Sequence, residues 1–300
     1  MNIRILRRNA RLVTIAAVVV TAAACGNDQP TARPQAPATT TARQQATGPT
    51  TEPAPSGQPV GIIAIGHSGL TGEGTGGTYE PVFANSWATG SAPEVNSVYL
   101  RLTSVRPETE DHVANTAKGG APASTLTTQA TQALALVPVP ALAIIQTVDN
   151  DILCDASNVT EVGQSLADAL AVIHEASPTA VILVAGQLGR PSVAYVNDLV
   201  AAQPSTKADL TWDDECSFFD TDGNLRESGF ERLTAAIDAY EAETARVCAQ
   251  VPNCVTDGGV RKAWIDSLEY FSPDFAHLNL AGQAAQAELI WPIIESALTH

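Results

Sequence analysis

Three short runs of sequence constrain the fold more than anything else in the chain. VGIIAI (60–65), ALAIIQTV (141–148) and TAVILVAG (179–186) are almost free of polar residues. A strand apolar on every residue must be covered on both faces. Between the runs lie segments whose apolar residues recur every three or four positions, the mark of a helix with one buried face. Such segments occupy 94–105, 124–136, 158–176 and 191–202, the third stopped at Ser177-Pro178. From Phe230 onward, Leu233, Ile237, Tyr240, Thr244, Val247 and Val251 share one face of a longer helix. Residues 279–298 predict a closing helix that kinks or breaks near Pro292. HVANTA (112–117) is a candidate short strand. Strands alternating with helices predict an α/β domain on a mostly parallel sheet covered on both faces.

The domain does not begin at residue 1. Arg4, Arg7, Arg8 and Arg11 precede an apolar run too short to span a bilayer comfortably, and that run ends AAAC at Cys25. A basic start, a short apolar stretch and small residues before a cut form an export signal over 1–25. The cysteine directly after the small residues gives it the form of a bacterial lipoprotein signal. Cys25 is then the lipidated N-terminus, anchoring the protein to the outer face of the cell membrane. Residues 26–59 are rich in Pro, Thr, Ala, Gln and Gly, with almost no large apolar side chain. They read as a tether with too little apolar surface to offset its ordering entropy. That leaves 60–300 as the folded domain.

Charge and cysteines agree with export. The chain holds 16 Lys and Arg against 32 Asp and Glu. Without residues 1–25 there are 12 basic and 32 acidic residues, a net charge of −20. Nucleic-acid binding needs a basic footprint, so that class is excluded. Cys154, Cys216, Cys248 and Cys254 remain, an even number that reads as two disulfides. Three pairings are possible. The expected one is Cys248–Cys254, a short closure at a helix end, which leaves Cys154–Cys216. A zinc site is the rival, weakened by the lack of any CxxC pair.

Ligands of parallel sheets sit beyond the carboxyl ends of the strands, so the residues after each strand carry the functional reading. The first strand runs into Gly66-His67-Ser68-Gly69 and the short one into NTAKGGA (115–121). The third ends at Asp149-Asn150-Asp151, and SPDFAHLNLAG (272–282) places Asp274 three residues before His277. A serine attacks a carbonyl only if a base takes its proton. A histidine does this when a carboxylate holds its tautomer. Backbone N–H groups and a side-chain amide can hold the developing oxyanion.

With those blocks in that order, the chain resembles the SGNH (GDSL-type) hydrolases across essentially all of 60–300. Ser68 in GHSGLTG matches the nucleophile block, Gly120 in NTAKGGA the second, Asn150 in QTVDND the third, and Asp274 and His277 the last. The resemblance implies a three-layer α/β/α sandwich with a flavodoxin-like sheet, and acyl-ester hydrolysis with no metal or cofactor. It implies Ser68 as nucleophile, His277 as base and Asp274 as its orienter. The N–H groups of Ser68 and Gly120 and the Asn150 amide form the oxyanion hole. The sequence departs from the family pattern at His67 (usually Asp), Gly69 (usually Leu) and Asp149 (usually Gly). A carboxylate at 149 pointing into the oxyanion hole would oppose the developing charge.

Other residues have plainer readings. His174 lies on a helix, His300 is terminal, and His112 has no carboxylate three residues before it. His67 is the rival base, but neighbours on a turn point apart. DTDGNLRESGFE (220–231) has acids at calcium-loop positions but Leu225 where such a loop needs Gly, and reads as a turn. Residues 212–216 (WDDEC) read as a solvated loop near the site mouth, and Asn158 as a cap of the following helix. Gly66, Gly69, Gly72 and Gly74 lack the endings of a nucleotide loop. The other surviving function is a non-catalytic surface lipoprotein that binds a glycan or small ligand in the same cleft. The expected partner is a small or glycan-linked ester, with short acyl groups favoured, taken by a monomer.

Overall fold

The computed structural model describes residues 60–299 except Asp213. The signal, Cys25 and the 26–59 tether lie outside the described residues. Five parallel strands form one sheet: β1 (Val60–Gly66), β2 (Val113–Asn115), β3 (Val139–Gln146), β4 (Val181–Ala185) and β5 (Cys254–Thr256). Their order across the sheet is β2-β1-β3-β4-β5. This is the flavodoxin-like order, whose direction of winding reverses between β1 and β3.

Side-chain alternation explains the three layers. Ile63 and Ile65 of β1, Ala143 and Ile145 of β3, and Ile182 and Val184 of β4 feed one core. That core is covered by α2 (Leu126–Leu136), α3 (Val159–Ala176) and α6 (Glu227–Cys248). Their neighbours Ile62 and Ala64, Leu142 and Ile144, and Val181 and Leu183 point the other way. They meet α1 (Val98–Val105) and α7 (Leu280–Leu298). Each strand therefore needs apolar residues on consecutive positions, which is why the three runs have no polar alternation. Truncating a large side chain to Ala in such a core costs about 2–5 kcal/mol.

Smaller clusters complete the domain. Helix α4 (Val193–Ala202) and the one-turn α5 (Thr206–Asp209) flank an aromatic group in which Phe218 stacks on Phe230 at 4.2 Å between ring centroids. Both expected disulfides are present, Cys154–Cys216 and Cys248–Cys254. With these sulfurs bonded to each other, the cluster of Cys154, Asp214 and Cys216 has no thiolate to offer a metal. Among the described residues no helix is long and apolar enough to cross a membrane.

Local details correct some expectations. Helix α7 runs on through Pro292 and does not break there. Asn158 stands at the start of α3 but does not cap it. Its amide instead donates to the Asp151 carbonyl at 3.0 Å, and its oxygen accepts the Tyr240 hydroxyl. The 220–231 segment is a turn that enters α6: Asp220 accepts the N–H groups of Asp222 and Asn224, and the helix begins at Glu227.

Candidate active site

The turn after β1 is shaped by β3. Gly66 has φ +141°, and a Cβ there would fall 1.8 Å from the Gln146 carbonyl oxygen. A Cβ on Gly69 would meet the Gln146 amide at 2.4 Å. Glycine is thus the residue that fits both positions. Gln129 of α2 takes the place of a strand neighbour for Gly66: its oxygen accepts the Gly66 N–H (2.6 Å) and its amide donates to the Gly66 carbonyl (3.0 Å). Ser68–Leu70 then coil into one 3-10 turn, whose Gly69 carbonyl accepts the Trp87 indole N–H at 2.9 Å. Ser68 is buried on this turn.

The DFAH segment delivers the second part. Asp274 Oδ1 accepts the N–H groups of Ala276 (2.9 Å) and His277 (3.0 Å), while Oδ2 lies 2.7 Å from His277 Nδ1. Phe275 bends the chain with φ +54°. Burial works against the Asp274 charge. The His277 ring and the two N–H donors outweigh it and hold the carboxyl below the usual carboxylate range. An ionised Asp274 fixes the ring proton on Nδ1 and leaves the Nε2 lone pair open. Nε2 is buried and has no hydrogen-bond partner among the described residues. Ser68 and His277 line one small cavity of about 40 Å³, together with His67, Trp87, Gln146 and Gln187 among others.

Of the oxyanion candidates Ser68 lines this cavity, and Gly120 and Asn150 do not. Gly120 has φ +70°, and the Asn150 amide donates to the Ala121 carbonyl at 3.0 Å, next to it in sequence. Asp149 does not stand alone in the hole. Its Oδ2 is 3.3 Å from His67 Nε2. Burial works against its charge too, yet His67 and the buried Arg261 hold it below the usual range. Residues 212 and 214–216 are pinned by a disulfide, as expected, but none lines the cavity.

Glu73 is a site residue that no motif announces. It is 8 % exposed, and its carboxylate reaches both His277 Nε2, at 3.9 Å, and the Gly119 turn, where a Cβ would be 2.7 Å away. Burial pushes its carboxyl up, and Asp274 adds to the push while His277 opposes it. Arg261 was missed as well. It lines the cavity yet is almost wholly enclosed, donating to the Gly186 carbonyl (2.7 Å) and to Gln286 (2.8 Å).

No protein-family model matches the sequence, and no curated protein matches it. Among solved structures the chain is similar to an extracellular lipase from Streptomyces rimosus, at 17% identity and TM-score 0.48 over 79% of this chain and 99% of that one. It is similar to a phospholipase A1 from Streptomyces albidoflavus at 15% identity and TM-score 0.48, over 79% and 98%. A family 3 carbohydrate esterase from Clostridium thermocellum follows at 14% and 0.46, over 79% and 97%. Likenesses of this depth leave the functional reading to the site's own geometry, in which a carboxylate-held histidine and a turn-borne serine share one cavity.

Proposed function

We propose that the protein is a serine-dependent carboxylic-ester hydrolase acting on short acyl groups. One observation carries the reading: Asp274 Oδ2 lies 2.7 Å from His277 Nδ1, and His277 and Ser68 line one cavity. In this mechanism His277 takes the Ser68 proton as the hydroxyl attacks the ester carbonyl. Negative charge on the carbonyl oxygen is met by the N–H groups of Ser68 and Gly120 and by the second amide hydrogen of Asn150. Collapse expels the alcohol, which takes its proton from His277. Water activated by the same histidine then releases the acid and restores the serine. A cavity of about 40 Å³ supports an acetyl-sized group. The acidic mature chain and Cys25 support an anchored protein at the outer membrane face, reaching small or glycan-linked esters.

The second reading is a binding cleft without turnover. Glu73 favours it, since a carboxylate beside Nε2 and the oxyanion donors opposes negative charge developing there. Hydrolysis of a short-chain nitrophenyl ester by the full chain and by Ser68→Ala separates the two. A rate that vanishes in the variant supports the hydrolase. Equal rates, with no labelling of Ser68 by an active-site phosphonate, refute it.

A further inference from the structure

The rival histidine beside the serine has its own partner. The Gly69 N–H donates to His67 Nδ1 at 3.1 Å, so that nitrogen carries a lone pair and no proton. In the neutral ring the proton is then on Nε2, which lies 3.3 Å from Asp149 Oδ2. Both side chains are buried, at 1 % and 7 % exposure. The 3.3 Å approach is a close charged contact and not a formed hydrogen bond, since His67 Nε2 has no hydrogen-bond partner among the described residues. With Nδ1 accepting from Gly69 and the ring proton on Nε2, His67 has no lone pair left to take a proton from Ser68. It is not a second base.

The strand exit opposite shows what such a contact holds in place. Val148, directly before Asp149, has φ +92°. A β-branched residue there is strained, by about 1–3 kcal/mol, and persists only where its surroundings over-determine it. Three consecutive side chains supply that. Asp149 meets His67 of the nucleophile turn, Asn150 donates to the Ala121 carbonyl (3.0 Å), and Asp151 accepts the Ala123 N–H (2.8 Å). The first of these clamps joins two of the positions at which the sequence departs from the SGNH pattern, and the third departure, Gly69, supplies the N–H that His67 accepts.

We infer that His67 and Asp149 form a positioning couple. Asp149 selects the tautomer of His67, His67 fixes the Ser68–Gly69 turn through the Gly69 N–H, and the couple sets the serine's place relative to Asn150. The inference rests on the hydrolase reading for its kinetic consequence and not for its structural one.

The test uses the full chain with His67→Phe, Asp149→Asn, the double variant, and His67→Asn. An asparagine can offer an oxygen to Gly69 and an NH₂ group toward Asp149. Misplacing a nucleophile by about 1 Å costs on the order of 10²-fold in rate. His67→Phe and Asp149→Asn should each lower kcat by about that factor while KM stays within about threefold. The double variant should be no slower than His67→Phe alone, because the two act as one unit. His67→Asn should recover most of the loss. Losses that multiply, a His67→Asn no better than His67→Phe, or a His67→Phe at the parent rate would each overturn the couple. Imidazole nitrogen NMR on the parent reads the tautomer whether or not the chain hydrolyses an ester or a variant folds. A proton on Nε2 of His67 supports the couple, and a proton on Nδ1 overturns it. If neither hydrolysis nor phosphonate labelling of Ser68 is seen, the hydrolase reading fails and the NMR result still judges the couple.

Discussion

The two disulfides should differ in worth by about a factor of two. Cys154–Cys216 closes a separation of 62 residues and Cys248–Cys254 one of 6. If a cross-link acts by restricting the unfolded chain, its contribution grows with the logarithm of the loop. At 25 °C that gives about 4 kcal/mol for the long loop and about 2 kcal/mol for the short one. For a domain of this size each kcal/mol moves Tm by about 2–4 °C. Replacing Cys154 and Cys216 together by alanine should therefore lower Tm by on the order of 10 °C, and replacing Cys248 and Cys254 by about half that. Differential scanning calorimetry of the parent and the two double variants measures both. Activity at 25 °C should survive loss of the long bridge. The segment after Asp151 is also held by Tyr240, whose hydroxyl accepts the Leu153 N–H at 3.1 Å and donates to the Asn158 side-chain oxygen. Equal drops for the two variants, or a larger drop for the short loop, would refute the chain-entropy argument and shift the explanation to packing around Cys216, which is wholly buried.

Two further perturbations probe the site. Glu73 has its carboxyl raised above the ordinary 4.5 by burial, so the native state holds that proton more tightly than the unfolded chain does. Stability from this group is complete below about pH 4.5 and is lost as pH rises through the folded value. Glu73→Gln has no charge to bury, so its advantage over the parent should widen from pH 4 to pH 8 in urea melts, and parallel curves would contradict this. Gln129→Leu strands the N–H of Gly66, while the Gly66 carbonyl keeps the Lys118 N–H at 3.1 Å; a buried donor without a partner is worth about 1–3 kcal/mol, so denaturant unfolding should show a loss of that size. A loss below about 1 kcal/mol would mean that the turn finds other partners.

The elements legible in sequence were those whose pattern is long. VGIIAI, ALAIIQTV and TAVILVAG each became a central strand, because burial on both faces writes itself as unbroken apolar sequence. β5 was not anticipated. Cys254–Thr256 is three residues at the sheet edge, only half-buried, and too short to show a period. The one-turn α5 was missed for the same reason. At the site, Asp274 and His277 were readable because three residues of spacing on a tight turn bring their side chains together. The contact of His67 with Asp149 was not, since 82 residues separate them and only the β1–β3 register brings them side by side. Glu73 and Arg261 were silent because a charged residue in sequence reads as solvent-facing, and nothing local records that these two are enclosed.

Connecting segments normally absorb insertions and deletions with little effect. The exit of β3 is an exception, because Asp149, Asn150 and Asp151 each address a different target. One residue added or lost between Val148 and Asp151 would shift every side chain onto its neighbour's target, turning an amide toward His67 and a carboxylate toward the Ala121 carbonyl. The segment thus behaves as a reading frame. Relatives that vary freely in the length of their other loops should keep this one fixed, and drift there should proceed by substitution in matched pairs.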